Sequence, residues 1–361
     1  MNSSFWSGKK VFITGHTGFK GSWLSIWLNE MGATLKGYSL EPITKPSLYY
    51  EVNVSTIMQS EYGDIRDFPK LSKSISDFKP DVIFHLAAQA LVRQSYKDPI
   101  ETYSTNVMGT VHLLEAARKT ENTKAIINVT SDKCYENREW VWPYRENDPM
   151  GGYDPYSSSK GCAELVSSAY INSFFNSELY ETHQCSLASV RAGNVIGGGD
   201  WSDDRLIPDI IKAFSLKQDV EIRSPKAIRP WQHVLEPLSG YITLAEHLYS
   251  KGPEFNGPWN FGPNPEDAKP VEWIVSKMAR LWGQEASWRI NEDYHPHEAH
   301  YLKLDYSKSN KFLQWQPLWN IEETLKRTVN WYRKWQQKED MTKYTASEIR
   351  EYMTSKGILK K

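Results

Sequence analysis

The sequence predicts an α/β fold: a Rossmann-type, doubly wound parallel sheet with a smaller C-terminal mixed α/β part. Short β-rich runs alternate with helical stretches through the first half of the chain. A glycine-rich turn separates the first predicted strand from the first predicted helix. Beyond residue 190 the pattern breaks into short pieces rich in Pro, Gly and Trp. We therefore divide the chain at residue 185, and expect strands to interleave between residues 1–185 and 186–361.

Five strands are predicted along the chain, and each is short enough to lie in a buried sheet. They are residues 10–14, 34–38, 82–86, 125–130 and 186–190. Apolar residues at helical spacing predict helices after the first strand, over 99–119, over 157–175 and over 321–335. The polar stretch from residue 339 is predicted to be peripheral.

Composition excludes several classes of protein. The 361 residues include 43 basic and 44 acidic side chains, so there is no broad positive field for nucleic acid. No apolar run approaches the ~20 residues of a membrane span, and the N-terminus has no signal-peptide pattern. The three cysteines show no C-x-x-C spacing, so neither disulfides nor a metal site is expected. We predict a cytoplasmic protein without a nucleic-acid or membrane partner.

The glycine turn predicts a dinucleotide site. Glycines let the backbone approach a pyrophosphate, and the following helix N-terminus offers free N–H groups. The spacing is G-x-x-G-x-x-G, so the position between strand and helix matters more than the motif itself. The residues expected to bind the cofactor here are Gly15, Thr17, Gly18, Phe19 and Gly21.

Further segments fit the same cofactor. The expected contacts are Asp64 and Ile65 near the adenine, and Leu86, Ala87, Ala88 and Gln89 at the end of the predicted strand 82–86. The second strand ends at Ser39 and not at the usual acidic residue, yet residues 37–44 contain no arginine for a 2′-phosphate. We therefore predict NAD in preference to NADP.

Tyr156 and Lys160 stand one helical turn apart, so both face the same way. A neighbouring cation favours the phenolate, which would let the tyrosine take a proton from a sugar hydroxyl. Alone, this spacing is common and describes an ordinary solvated helix face. With the glycine turn, Asn106 and a hydroxyl at Ser131, it resembles the extended short-chain dehydrogenase/reductase family over residues 8–335.

That resemblance implies roles for these residues. Tyr156, Lys160 and Ser131 would be the hydride-transfer triad, and Asn106, Tyr156 and Lys160 would also contact the cofactor. Asp132 and Lys133 occupy the positions of the acid and base of the nucleotide-sugar 4,6-dehydratases, which usually carry Asp-Glu. The Asp-Lys version, with the motifs at 229–234 and 297–305, resembles the dehydratases that act on CDP-glucose.

The resemblance implies a redox-neutral dehydration. Tyr156 would accept the C4 hydroxyl proton during oxidation, and the resulting ketone would acidify the C5 hydrogen. Lys133, if desolvated, would remove that hydrogen, while Asp132, if protonated, would assist departure of the C6 hydroxyl. Hydride would then return to C6, giving a 4-keto-6-deoxy sugar.

Guanidinium groups suit the pyrophosphate of a nucleotide-sugar substrate. The residues expected to bind the substrate are Asn194, Arg205, Arg229, Trp231, His297 and Tyr301. Arg205 fits a surface ion pair equally well. The helices at 99–119 and 157–175 imply, by resemblance, a homodimer, with a tetramer as the alternative.

Two other functions stay open. A nucleotide-sugar 4-epimerase shares the fold, the triad and NAD, but has no use for an acid/base pair at 132 and 133. A catalytically silent NAD-binding sensor has no need to combine Tyr156, Lys160, Ser131 and Asp132.

Overall fold

The computed structural model describes residues 1–283, 286–290 and 301–359, and its centre is a seven-stranded parallel sheet. The strand order is β11-β6-β5-β4-β1-β2-β3. The strands are β1 (Lys10–Thr14), β2 (Thr34–Ser39), β3 (Gln59–Tyr62), β4 (Val82–His85), β5 (Ala125–Val129), β6 (Ser186–Ala192), β7 (Val195–Ile196), β8 (Val220–Ile222), β9 (Ile228–Pro230), β10 (Gln232–His233), β11 (Gly257–Phe261), β12 (Ala268–Pro270) and β13 (Trp288–Ile290).

This order confirms the predicted doubly wound sheet. The chain runs outward from β1 through β2 to β3, and β4 then crosses back to the other side of β1. In such sheets ligands bind at the carboxyl edge beside this reversal. The five predicted strands are all present. The sequence missed β3, whose four residues are all exposed or half-buried, and β11, which starts with Gly-Pro.

Strands β6 and β11 come from the second half of the chain and pair with each other. The sheet therefore draws on both sides of the boundary at residue 185. The remaining short strands form three two-stranded pieces, β7 with β10, β9 with β12 and β8 with β13, in the part expected to bind substrate.

Helices flank the sheet, and α2, α8 and α14 lie where the sequence predicted helices. The predicted helix at 99–119 is α6 and α7 joined by a π-helical segment, Ser104–Met108. The helices are α1 (Ser3–Trp6), α2 (Phe19–Glu30), α3 (Leu48–Glu51), α4 (Phe68–Phe78), α5 (Val92–Lys97), α6 (Pro99–Tyr103), α7 (Gly109–Arg118), α8 (Pro155–Ser173), α9 (Tyr180–His183), α10 (Leu206–Ser215), α11 (Leu235–Lys251), α12 (Val271–Trp282), α13 (Ser307–Leu313), α14 (Ile321–Gln336) and α15 (Met341–Ser355). No helix in the described ranges is long and apolar enough to cross a membrane.

The prediction of a peripheral C-terminus is wrong. Helix α15 buries one face against the main core, where the Tyr352 ring lies 5.4 Å from that of Trp27. The Tyr352 hydroxyl donates a 2.6 Å hydrogen bond to the buried Glu236. The sequence did not indicate this packing, because the apolar residues of α15 are few and lie on one face of the helix only.

The same helix buries Glu348, whose two carboxyl oxygens both lack a hydrogen-bond partner. The nearest cation, Arg327, is 3.9 Å away. Burial raises the pKa of Glu348 to about 8, although Arg327 opposes the shift. Because this pKa exceeds the ordinary value of 4.5, the contribution of Glu348 to stability is greatest below pH 4.5 and is lost as the pH rises towards 8.

Glu348→Gln removes the titrating group, so we expect the variant to melt higher than the wild type at pH 8.5, on the order of 3 °C or more. The gap should shrink towards pH 5, where wild-type Glu348 is protonated in the folded state. Thermal unfolding across this pH range measures it. Glu351→Gln, which changes an exposed partner of Arg327, is the matched control. A gap independent of pH would contradict the assignment.

Candidate active site

The glycine turn at the end of β1 has the geometry of a phosphate cradle. Gly15 has a φ of +76°, and a Cβ there would stand 2.7 Å from the backbone nitrogen of Ala87. A Cβ on Gly21 would stand 2.1 Å from the Gly15 carbonyl oxygen. Gly18 begins α2, is exposed and supplies no side-chain cap, so the first N–H groups of the helix stay available to a ligand.

The segment Leu86 to Gln89 forms the opposite wall and is held by polar contacts. The backbone N–H groups of Leu86 and Ala87 donate to the Thr14 hydroxyl at 3.1 and 3.2 Å. Asn106 accepts from the Gln89 N–H at 2.8 Å and donates to its carbonyl at 3.0 Å. Leu86, Ala87, Ala88 and Gln89 are partly buried, whereas Thr14 and Asn106 are buried behind them. A partly buried wall of this kind is expected for a binding surface.

Other predicted cofactor residues are engaged within the protein. Thr17 is buried and shares a 2.8 Å hydrogen bond with Ser39, the residue at the usual acidic position. Asp64 pairs with Arg66 at 2.6 Å, and Ile65 packs in the core beneath Gly109. Phe19 is half-buried against the main core. The contacts of Asp64 and Ile65 with an adenine stay a prediction.

The structure brings Ser131, Asp132, Tyr156 and Lys160 together at the carboxyl end of β5. Asp154 caps α8 by accepting the Ser157 N–H at 2.9 Å, which fixes the start of the helix that carries the tyrosine and the lysine. The Tyr156 and Ser131 hydroxyls are hydrogen-bonded to each other. Lys160 donates to the Val129 carbonyl at 3.3 Å.

The pKa of Tyr156 shifts in the opposite direction from the one that we expected. Burial lowers the pKa of Lys160 to about 8. Burial also raises the pKa of Tyr156 to about 12, opposed by the Ser131 hydroxyl and then by Arg205. In the protein alone, the net shift of Tyr156 is therefore opposite to the lowering that we expected from Lys160.

Asp132 meets the condition set for a general acid. It is buried, and burial raises the pKa of its carboxyl group although Lys133, Ser131 and Arg229 act in the other direction. Its Oδ1 accepts from Ser131 at 3.0 Å, and its Oδ2 has no hydrogen-bond partner. A carboxyl group with a raised pKa and an open oxygen can hold a proton and deliver it to a bound molecule.

Lys133 lies in a different environment from the rest of the cluster. Its side chain is exposed, whereas Ser131 and Asp132, which precede it at the start of a 3₁₀ turn, are buried. The desolvation that we expected of Lys133 is not seen at this position, and its role as the base stays a prediction.

Five of the six predicted substrate residues fall into three groups. The charges of Arg205 and Arg229 act on the catalytic cluster, because Arg205 opposes the rise in the pKa of Tyr156 and Arg229 opposes the rise in the pKa of Asp132. Asn194 lies between β6 and β7 and is half-buried. The backbone of Tyr301 forms an isolated β-bridge with Ile228, the residue before Arg229. His297 lies outside the described residues.

Trp231 is a correction. Its side chain is 3% exposed within the main core, and its indole N–H donates to the Lys269 carbonyl at 3.0 Å. We expected this residue to bind the substrate, but although it lies between the short strands β9 and β10 in the chain, its ring packs into the core.

Sequence reasoning also missed a buried ion pair behind the cluster. The Arg191 guanidinium on β6 contacts both carboxylate oxygens of Glu164 on α8 at 2.9 Å and the Tyr135 hydroxyl at 2.7 Å. Thr130 donates to the same carboxylate at 2.5 Å. The pair fastens the catalytic helix to the sheet. The only signal was an arginine inside an otherwise apolar strand.

No cluster of His, Cys, Asp or Glu within the described ranges could hold a metal ion. The cysteines at 134, 162 and 185 are free thiols. The groups that the described site offers for chemistry are hydroxyl, amine, carboxyl and guanidinium groups.

Comparisons with known proteins agree with this geometry. A sequence model of the GDP-mannose 4,6 dehydratase family matches residues 12–328. The chain is 63% identical to a CDP-glucose 4,6-dehydratase of Salmonella typhimurium, over 98% of this chain and 99% of that protein. Its fold is similar to UDP-glucose 4-epimerase of Thermotoga maritima, with a TM-score of 0.77, 21% identity and coverage of 91% and 99%.

A dTDP-glucose 4,6-dehydratase of Bacillus anthracis in complex with NAD superposes with a TM-score of 0.73 at 24% identity, covering 91% of this chain and 98% of that one. This chain thus shares its fold with both a dehydratase and an epimerase. On the family match and on the identity to a curated relative, the chain belongs to the GDP-mannose 4,6 dehydratase family, within the extended short-chain dehydrogenases/reductases.

Proposed function

We propose that this protein is an NAD-dependent CDP-glucose 4,6-dehydratase, a hydro-lyase that forms the 4-keto-6-deoxy sugar. The observation that carries the proposal is the buried Asp132, with a raised pKa and an unpartnered oxygen, beside the Ser131–Tyr156 pair. The 63% identity to the Salmonella enzyme supports the same reaction and the same nucleotide sugar.

The residues present fit NAD. A Cβ at Gly15 or Gly21 would close the turn, whereas exposed Gly18 leaves the α2 amides open to a pyrophosphate. Leu86 to Gln89, Tyr156 and Lys160 would hold the remainder of the molecule. Bound NAD supplies the acceptor for the C4 hydride and returns a hydride to C6.

The protein's own groups move the protons. Tyr156 takes the C4 hydroxyl proton, and Ser131, hydrogen-bonded to it, holds the phenol in place. Asp132 gives its proton to the departing C6 hydroxyl. In this proposal Lys133 removes the C5 proton, which requires the bound sugar to cover its exposed amine.

Arg205 and Arg229 supply positive charge for the substrate. Asp200 holds the Arg205 guanidinium at 3.0 Å, so this side chain is oriented before a ligand arrives. Guanidinium groups pair well with phosphate oxygens. We propose that Arg229 and Asn194 lie at the pyrophosphate, while Arg205, whose charge acts on Tyr156, lies closer to the sugar.

We further propose a cytoplasmic homodimer. Helices α6 to α8 and the segment that joins them leave several apolar side chains exposed, among them Ile100, Met108 and Leu165. Sedimentation equilibrium should give twice the chain mass of 41.7 kDa. The mass of a single chain would contradict a dimer, and four times that mass would indicate a tetramer.

The function is tested by incubating the purified protein and NAD with the glucose conjugates of CDP, UDP, dTDP and GDP. Mass spectrometry should show loss of one water, fastest from CDP-glucose. The structural likeness to epimerases names the rival outcome, a product epimeric at C4 with no change in mass. That result would replace the dehydratase proposal with a 4-epimerase. The absence of a reaction with every substrate would instead favour the NAD-binding sensor.

A further inference from the structure

His85 is a buried histidine that the reaction described above does not use. It is the last residue of β4 and directly precedes the cofactor wall, Leu86 to Gln89. Its Nδ1 lies 2.7 Å from the Thr14 hydroxyl oxygen, and its Nε2 lies 3.3 Å from the Thr110 hydroxyl oxygen. Each ring nitrogen thus has a hydroxyl partner, and the directions of these two hydrogen bonds decide which nitrogen carries the proton.

The Thr14 hydroxyl fixes the direction of the first hydrogen bond. Its oxygen accepts from the backbone N–H groups of Leu86 at 3.1 Å and Ala87 at 3.2 Å. A hydroxyl oxygen has two acceptor lone pairs, and these two donors occupy both of them. Thr14 must therefore donate its own proton to His85, so the Nδ1 of this ring is an acceptor and carries no hydrogen.

The Thr110 hydroxyl fixes the direction of the second hydrogen bond and agrees with the first. It donates its proton to the Asn106 carbonyl at 2.7 Å, so it offers His85 an acceptor oxygen. The Nε2 of His85 therefore carries the hydrogen and donates it to Thr110. Burial, and then the charge of Lys160, lowers the pKa of His85 to about 3, which keeps the ring neutral. The contacts thus specify one tautomer of a neutral imidazole.

His85 joins the supports of the two ends of the cofactor wall. Thr14 holds the first end through the two N–H groups named above, and Thr110 bonds to the backbone of Asn106. The Asn106 side chain in turn bonds to both the N–H and the carbonyl of Gln89 at the other end. One imidazole ring therefore links the groups that fix the wall at both ends.

We propose that His85 is a positioning residue for the cofactor, and that its neutral Nε2–H tautomer orients the Thr14 hydroxyl so that the cofactor wall is in place before NAD arrives. This rests on the part of the proposed function that places NAD at this wall. A displaced wall would disturb the phosphate cradle, because a Cβ on Gly15 would stand only 2.7 Å from the Ala87 nitrogen. His85 itself neither touches the cofactor nor moves a proton of the sugar.

Calorimetric titration with NAD tests this role without any turnover. His85→Leu fills a similar volume and removes both hydrogen bonds. We expect the Kd for NAD to rise about tenfold, which corresponds to a wall that is held correctly in about a tenth of the molecules. His85→Asn, whose amide oxygen takes the place of Nδ1, should recover most of the affinity. Thr14→Val should weaken binding as much as His85→Leu, and the double variant should bind no more weakly, because the histidine acts through that hydroxyl.

His247→Leu is the matched control, because this ring on α11 bonds to the Thr243 carbonyl of its own helix, and it should keep the wild-type Kd. Nuclear magnetic resonance of the wild type with isotope-labelled histidine should place the hydrogen of His85 on Nε2, with the signal assigned by its loss in His85→Asn. This measurement does not depend on the folding of the leucine variant. A hydrogen on Nδ1, an unchanged Kd in His85→Leu or Thr14→Val, or a further tenfold loss in the double variant would overturn the proposal. A wild type that does not bind NAD would instead refute the cofactor site of the proposed function.

Discussion

Tyr156→Phe should abolish turnover of CDP-glucose and leave the fold intact. The phenylalanine ring fills the same buried space, so only the proton acceptor and its hydrogen bond with Ser131 are lost. Removing a general base of this kind costs typically 10²–10⁴-fold in rate. Since hydride transfer from C4 requires the hydroxyl proton to leave, bound NADH should not appear after mixing with substrate.

Stopped-flow absorbance of NADH and mass spectrometry of the product measure the two quantities in the same reaction. Tyr170→Phe, on the same helix α8 and away from the cluster, is the matched control and should keep wild-type rates. Near-normal turnover by purified Tyr156→Phe would remove this tyrosine from the hydride-transfer step.

Asp132→Asn should separate oxidation from elimination. Asparagine keeps the shape of the side chain but has no carboxylic proton to give to the departing C6 oxygen. Ser131, Tyr156 and Lys160 are unchanged, so C4 oxidation should survive and enzyme-bound NADH should accumulate. The 4-keto-6-deoxy product should fall by about 10²–10⁴-fold, the usual contribution of a general acid.

Single-turnover NADH absorbance, product formation and washout of C5 deuterium distinguish these steps. Asp200→Asn, which weakens the orientation of Arg205 but carries no proton to the sugar, is the informative comparison. It should reduce substrate binding without accumulation of NADH. Unimpaired product formation by Asp132→Asn would exclude this carboxyl group from the dehydration.

The sequence predicted those parts of the site that follow one another along the chain. The glycine turn, the Tyr156–Lys160 spacing and the Ser131–Asp132 pair each lie within a few residues, so they are visible as local motifs, and the resemblance to a known family then implied their roles. The sheet followed for the same reason, because buried parallel strands are short apolar runs.

What the sequence could not predict depends on burial in three dimensions. Lys133 and Lys160 are both lysines of a predicted motif, yet only the folded chain shows that the first is exposed and the second is buried. Trp231 was expected at the substrate because its segment lacked periodicity, although packing turned its ring into the core. The direction of the Tyr156 pKa shift likewise depends on how much water the fold removes, which no spacing reveals.

The buried Arg191–Glu164 pair also bears on how the chain folds during its synthesis. Glu164 lies on the helix that carries Tyr156 and Lys160, but its partner comes from β6, translated later. A nascent chain that ends at residue 185 would have to bury this carboxylate without its guanidinium in order to dock the helix, at a cost of several kcal/mol. We therefore expect this helix to dock stably only once β6 has been synthesised, so that the active site is completed late in translation.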